Sequence, residues 1–195
     1  MMKKTGIIIL VGVIVLVVLW FVSGYNSLVS KQENVSTAWS NVETQYQRRA
    51  DLIPNLVNTV KGYASHEQET FAAVTAARAQ ATQTTVNPEN LTPEALAEFN
   101  RAQGEVGSVI GRLLMIQENY PELKANQNFL ELQAQLEGTE NRINQARRDF
   151  NLAAQDYNTS IRRFPRNIVA SLFGFDAKPY FDAQPGAEVA PVVQF

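Results

Sequence analysis

The chain has 195 residues, of which 45% are hydrophobic and 9% aromatic, enough apolar material to build one domain with a core and to exclude a wholly disordered protein. Seventeen Lys and Arg residues oppose nineteen Asp and Glu residues, and the formal net charge of −2 gives no general attraction for nucleic acid, so we expect no nucleic-acid partner. The sequence contains no cysteine, which excludes disulfides, thiolate metal ligands and thiol nucleophiles.

The first predicted element is an apolar helix near the amino terminus. Residues 5–24, TGIIILVGVIVLVVLWFVSG, carry no charge. About 20 residues at roughly 1.5 Å each give about 30 Å of helix, which matches the hydrocarbon core of a bilayer. A cleaved signal peptide is the alternative, but the run is longer than the apolar region of such peptides, and Trp20 and Tyr25 are typical of an interfacial anchor. We predict that residues 1–24 form a cytoplasmic stub and a retained transmembrane anchor in contact with the lipid bilayer.

The charges beside this anchor predict its orientation. Lys3 and Lys4 precede the apolar run, and no basic residue follows it before Lys31. The positive-inside rule then leaves the amino terminus in the cytoplasm and places the bulk of the chain outside. We therefore expect a single-pass protein of the cytoplasmic (inner) membrane.

The next pattern is a long amphipathic helix. From Val35 to Ala81 the apolar residues recur at alternating intervals of three and four. If this helix runs unbroken from Tyr25, it spans about 57 residues and about 85 Å, more than the later helices can cover. The membrane-proximal stalk, residues 25–42, should then expose an apolar stripe and pack against copies of itself, or else against a partner's helix. We expect a homo-oligomer with Trp39 as its energetic centre. The stripe of the stalk consists of Leu28, Val35, Trp39 and Val42.

Pro54 interrupts this helical pattern, because proline lacks an N–H for the carbonyl of Ala50. In one interpretation Asp51 caps a new helix and Pro54 lies in its first turn. In the other the helix continues with a kink, and a polar group binds the freed carbonyl. The unbroken phase of the apolar stripe favours the second interpretation. The expected donors are Asn55, Arg49 and the polar residues of the segment NYPELKAN.

Three further helices are predicted. The segment TQTTVNPENL breaks the first pattern, and Thr92 as N-cap with Pro93 at the first helical position begins a helix that reaches about Glu118. A heptad pattern typical of a bundle or coiled-coil helix follows over residues 129–164. Pro165 ends it, and RNIVASLF with Gly174 as its stop forms a short last helix. Three glycines lie within the Thr92 helix, where each is unfavourable unless another backbone comes close: Gly104, Gly107 and Gly111.

Two blocks of sequence resemble the LemA family: AWSNVETQYQRRADLIPNLVNTVKGYASHE at 38–67 and ENYPELKANQNFLELQAQLEGTENRINQARRDFNLAAQDYNTSIRRFP at 118–165. The resemblance implies a single-pass, membrane-anchored bundle of about four helices without a well-defined biochemical activity. Members of the family often occur beside genes of membrane metalloproteases, which implies a membrane protease as one candidate partner.

The predicted fold is therefore all-α, an N-terminal transmembrane helix that continues into a long-helix, roughly four-helix up-and-down bundle. We assign residues 25–175 to an extracytoplasmic bundle and residues 176–195 to a flexible tail, since three prolines and a glycine interrupt the latter.

No pattern in the sequence predicts an active site. His66, the single histidine, with Asp51, Glu67 and Glu69 offers only one nitrogen ligand, so we interpret these residues as a solvated helix face and expect no metal and no other cofactor. Phosphate-binding, dinucleotide-binding and nucleophile-elbow motifs are absent from the sequence, and we predict no enzyme. Residues 162–175 put three arginines beside phenylalanines, which fits a membrane-surface patch or an RNA-binding patch, but a helix-end turn is favoured because three arginines are few.

Two functions remain as hypotheses. The favoured one is a scaffold or adaptor that acts by protein–protein contact and self-association at the cell envelope. The alternative is an extracytoplasmic binding module that holds a small molecule or an envelope polymer in a groove near Pro54, lined by Arg48, Arg49 and Tyr120. The residues predicted to interact are Leu28, Val35, Trp39, Val42, Arg48, Arg49, Asp51, Pro54 and Asn55.

Overall fold

The computed structural model describes residues 2–182. All regular secondary structure in this part of the chain is helical, and it contains no strand. The all-α prediction is confirmed. The helices are α1 (Met2–Lys61), α2 (Gln68–Gln83), α3 (Pro93–Met115), a 3-10 turn (Ile116–Asn119), α4 (Pro121–Lys124), α5 (Gln127–Arg162) and α6 (Arg166–Phe173).

The amino-terminal part of α1 stands apart from the bundle. From Gly6 to Trp20 every residue is exposed. α1, which carries this apolar run, is long and apolar enough to cross a membrane. From Gly6 onward, Gly24 is the first buried residue of α1, and a Cβ placed on it would lie 3.5 Å from Cγ2 of Val169 in α6. The bundle therefore begins where the apolar run ends.

The first bundle helix is shorter than the sequence pattern predicts. α1 ends at Lys61, and the chain reverses over residues 62–67 before α2 begins at Gln68. The apolar stripe continues across this turn, because two antiparallel helices preserve the same spacing of three and four. Residues 25–61 of α1 rise about 55 Å and the 36 residues of α5 about 54 Å, so the two helices match in length.

Because α5 is as long as this part of α1, it can cover the stalk. α5 packs along α1, and Leu28, Trp39 and Val42 are 0% exposed. Val35 is 1% exposed. The prediction of an open stripe that needs a second copy is therefore wrong, since the same chain already removes these side chains from water.

Trp39 is the centre of the membrane-proximal core. Its ring lies 5.2 Å from that of Phe99, 5.6 Å from that of Phe150 and 5.8 Å from that of Phe181, measured between centroids. The Phe181 ring is stacked on it with an interplanar angle of 11°. Trp39 is thus an anchor of the monomer core rather than of an interface between copies. A second core cluster fills the distal half of the bundle around α2, α3 and the turn into α5.

The segment 176–182, which we call the strap, is packed on α5, although the sequence assigns it to a flexible tail. The Asn158 side chain donates to the carbonyl of Lys178 (2.7 Å) and accepts from its N–H (2.8 Å). Asn151 makes the same pair of bonds with Phe181, at 2.9 and 2.8 Å. The tail therefore begins no earlier than residue 183, and the rest of that prediction, residues 183–195, lies outside the described residues.

Lys178 ties the strap to the loop between α2 and α3. It is 8% exposed, and its Nζ donates to the carbonyls of Pro88 and Glu89. Burial lowers the pKa of Lys178, while the nearby carboxylates of Asp176 and Glu89 act in the opposite direction. The strap thus links α5 to the loop that leads into α3.

The local helix signals are confirmed. The Thr92 hydroxyl accepts from the N–H of Ala95 (3.2 Å) and begins α3, with Pro93 in its first turn. Gly174 ends α6 with a left-handed backbone (φ 71°), a conformation that a glycine adopts without strain.

Candidate functional site: a groove between α3 and α5

An open groove separates α3 from α5. α3 packs mainly on α2, whereas α5 packs mainly on α1, so α1 forms the floor between two walls. Two adjoining spaces of about 700 and 450 Å³ share Arg49, Gly107 and Glu140 in their lining and form one continuous groove. Along α3 the lining extends from Ala97 to Leu114, about 25 Å.

Arg49 on α1 lies at the floor of this groove and makes hydrogen bonds to both of its walls, α3 and α5. The residue is 5% exposed. Its Nη2 donates to the backbone carbonyl and to Oε1 of Gln103 in α3, both at 2.8 Å, and its Nη1 donates to Oε2 of Glu140 in α5 at 3.2 Å. The Nε of Arg49 is buried without a hydrogen-bond partner among the described residues. A single guanidinium thus bridges three helices at a point where α3 and α5 are separated by the groove.

Two further side chains set the electrostatics of the groove. Burial raises the pKa of the Tyr46 hydroxyl, against the opposing effect of Arg147 and Arg49 nearby, so Tyr46 is a neutral hydrogen-bonding group at neutral pH. Arg147 lies 4.7 Å from the centroid of the Phe181 ring and donates to the carbonyl of Asp182 (3.2 Å). With Glu137 and Glu140 on α5, the groove carries charges of both signs.

Three glycines lie on the α3 wall of the groove. A Cβ placed on Gly104 or Gly111 would meet no atom within 4 Å, and one placed on Gly107 would lie 3.9 Å from Nη1 of Arg49. Contacts within the chain therefore do not require glycine at these positions. Each glycine nevertheless costs α3 up to about 1 kcal/mol relative to alanine. The close backbone approach expected from the sequence is not made by any described part of this chain.

Pro54 is accommodated inside α1, which continues through it to Lys61. The interpretation in which the helix continues is confirmed, and Asp51 does not cap a new helix. The freed carbonyl of Ala50 accepts from Nε of Arg78 in α2 at 2.8 Å. The predicted donors, Asn55, Arg49 and the NYPELKAN segment, are wrong, because the chain reversal at 62–67 brings α2 rather than the distal turn beside Ala50.

This contact predicts an energetic coupling between Pro54 and Arg78. Arg78→Ala should lower the free energy of unfolding by about 1–2 kcal/mol, because the half-buried carbonyl of Ala50 loses its donor. Pro54→Ala should raise it by about 1 kcal/mol, because residue 54 regains an N–H for the same carbonyl. In the Pro54→Ala background Arg78→Ala should cost about 1 kcal/mol less, measured by denaturant unfolding of all four proteins. Strictly additive effects would show that the two residues do not share this carbonyl.

The other predicted site residues do not assemble near Pro54. Arg48 and Asn55 are exposed, and Asp51 accepts from Nε2 of Gln47 one turn earlier (2.8 Å). Tyr120 lies beside Glu67 at the distal turn, with 3.5 Å between its hydroxyl and Oε1. Of the three predicted lining residues, only Arg49 lines the groove between α3 and α5. Arg49 also lines a smaller space of about 120 Å³ near Pro54, together with Ala50, Ile53 and Arg78, but neither Arg48 nor Tyr120 lines that space.

One sequence signal could have revealed the groove. Arg49 falls three residues after Tyr46 and four before Ile53, both of them stripe positions and both buried. A charge at a stripe position indicates a buried, paired group. Its partners Gln103 and Glu140 are 54 and 91 residues away, and no local spacing connects them.

The predicted absence of a metal stays a prediction. Within residues 2–182 no group of three or more His, Asp or Glu side chains is placed to hold an ion. Glu67, next to the exposed His66, instead lies beside the Tyr120 hydroxyl.

An apolar, exposed amino-terminal helix joined to a bundle of long helices defines a membrane-associated, all-α protein. The model of the LemA family matches residues 38–195, so the chain belongs to the LemA family.

Several named relatives are similar over most of the chain. Magnetosome protein MamQ 2 of Paramagnetospirillum magneticum is 27% identical over 186 residues, which cover 87% of this chain and 68% of the relative. Magnetosome protein MamQ of Magnetospirillum gryphiswaldense has the same identity and coverage. Protein LemA of Metamycoplasma hominis is 26% identical over 150 residues, 77% of this chain and 65% of the relative.

Proposed function

We propose that this protein is a membrane-anchored, non-enzymatic adaptor that binds a helix of another membrane protein in the groove between α3 and α5. The observation that carries the proposal is an open slot between two helices with three glycines on one wall and a buried arginine on its floor. The bundle lies outside the cytoplasmic membrane in this proposal, because Lys3 and Lys4 flank the cytoplasmic end of the anchor.

The shape of the groove favours a helix as its occupant. Its length of about 25 Å accommodates about 17 helical residues. Glycine at positions 104, 107 and 111 lets the backbone of a partner helix approach α3 closely, as small residues do at tightly packed helix pairs. A helix in this slot would pack against α3 and α5 at once.

The charges favour a protein over an envelope polymer. A polyanion would be attracted by Arg49 and Arg147 but repelled by Glu137 and Glu140 in the same groove. A helix with polar side chains of both signs can satisfy both sets of charges. The mixed lining therefore supports the adaptor over the polymer-binding module.

The test fills the groove without disturbing the fold. Gly104→Leu and Gly111→Leu introduce side chains where no atom lies within 4 Å of the new Cβ, and leucine is the better helix former by up to about 1 kcal/mol. We expect the doubly substituted protein to be at least as stable as the parent. A photoreactive benzoylphenylalanine in place of Gln133, a half-buried groove residue on α5, then reports the occupant by crosslinking in native membranes.

We expect the groove-filled protein to lose the crosslinked partner by about tenfold or more. Ser108→Leu is the matched control, since Ser108 is exposed on α3 but faces the α2 side, and capture should be retained. Equal capture by the parent and the groove-filled protein would contradict the proposal. A crosslinked product that is a glycan, a small molecule or a second copy of this chain would replace the proposed occupant.

A further inference from the structure

α6 lies at the level where α1 leaves its apolar run. Val169 and Ala170 are buried, and Val169 packs against Gly24 of α1. The ring of Phe173 lies 4.8 Å from that of Tyr25, measured between centroids. Gly24 follows Trp20 by only about 6 Å along the helix, so α6 sits beside the last turn of the candidate membrane span.

The side of α6 away from the bundle exposes large apolar side chains. Leu172 is 67% exposed, and Phe164, in the turn that precedes α6, is 80% exposed. Ile168 and Phe173 are also exposed, and Ile168 and Leu172 are one turn apart on the same face. A soluble surface rarely presents such a concentration of apolar groups on a helix of eight residues.

Three arginines border this apolar face. Arg162 is the last residue of α5, Arg163 follows it as the C-cap residue, and Arg166 begins α6. Among the described residues none of them forms an ion pair with a carboxylate. Apolar groups with a border of cations match the interface of a bilayer that contains anionic lipids.

We propose that the apolar face of α6 lies in the interfacial layer of the bilayer that α1 spans, with Arg162, Arg163 and Arg166 on the headgroups of anionic phospholipids. Continuity with the apolar run of α1 decides for lipid over a protein partner, because the acyl chains around residues 6–24 reach the level of α6. A single helix would leave the bundle free to tilt. A second, lateral contact fixes its tilt and hence the direction in which the groove between α3 and α5 faces.

Because the sequence contains no cysteine, one introduced cysteine can be labelled specifically. Leu172→Cys places a single environment-sensitive fluorophore on α6 of the full chain, reconstituted in phosphatidylcholine vesicles with about one quarter phosphatidylglycerol. Leu152→Cys is the matched control. Leu152 is 62% exposed and lies on α5 about 15 Å before the end of that helix at Arg162, on the side away from the proposed membrane. Quenchers are a doxyl group near the headgroup end of the lipid chain and iodide in the water.

We expect the lipid quencher to act at least about threefold more strongly on the label at 172 than on that at 152, and iodide to act more weakly. Arg163→Gln with Arg166→Gln should reduce the difference, as should vesicles without phosphatidylglycerol. Equal exposure of both labels to iodide would overturn the proposal. A label at 172 shielded from iodide but not quenched by lipid would assign the face to a protein, and lipid quenching independent of phosphatidylglycerol and of both arginines would overturn the headgroup contact.

Discussion

Trp39→Ala should destabilise the isolated bundle by about 3–5 kcal/mol, the largest effect expected for a single substitution in this chain. The indole is 0% exposed and contacts three aromatic rings, which come from α3, α5 and the strap. Its removal leaves a cavity where these elements meet and also releases Phe181. Denaturant unfolding of the detergent-solubilised chain, followed by near-ultraviolet circular dichroism, measures the change.

Two variants separate this core role from a role in self-association. Trp39→Phe keeps an aromatic ring and removes an indole N–H that has no hydrogen-bond partner within residues 2–182, so it should cost much less than alanine. Leu152→Ala, at an exposed position, should change stability by no more than about 0.5 kcal/mol. If Trp39→Ala instead unfolds at the midpoint of the parent but sediments as a smaller species, the stalk is an interface between copies after all.

Arg49→Met should lower the free energy of unfolding by about 2–4 kcal/mol, because a buried guanidinium with three hydrogen bonds holds α3 and α5 on α1. Methionine retains most of the apolar stem but donates to none of these acceptors, and Gln103 is left buried without this donor. Arg49→Lys should recover only part of the loss, since one ammonium group cannot reach Gln103 and Glu140 with the geometry of a planar fork.

Arg48→Met provides the control for this prediction. It makes the same chemical change one residue earlier, at an exposed side chain, and should alter stability by about 0.5 kcal/mol or less. Identical unfolding midpoints for the two variants would contradict the bridging role of Arg49. Hydrogen exchange of α3 amides adds a local measure, because α3 should open more often when its link to α1 is lost.

The sequence by itself determined the features that depend on neighbouring residues. The Thr92 cap, the stop at Gly174 and the end of α5 before Pro165 all follow from side-chain and backbone geometry within one turn. The apolar run of residues 5–24 predicted an anchor from its length and lack of charge, and the heptads of α5 predicted a bundle helix because burial of one helix face requires that periodicity.

The tertiary structure alone decided which helices cover one another. The apolar stripe is equally compatible with one helix of about 57 residues and with two antiparallel helices. The reversal at residues 62–67 selects the second arrangement, which brings Arg78 to the carbonyl of Ala50 and lets α5 match α1 down to the end of its apolar run. The open stalk that the longer helix implied therefore does not form.

The groove and the strap could not be predicted from the sequence for a related reason. Arg49 meets Gln103 and Glu140, and Asn158 meets Lys178, through contacts between residues that are far apart in the chain. Such contacts are set by the relative placement of whole helices. The strap contains a proline and has the composition of a tail, but it is ordered because two asparagines of α5 make hydrogen bonds to its backbone. Local periodicity specifies which face of each helix is buried, but only the packed chain specifies what buries it, because many helix arrangements remove the same apolar area from water.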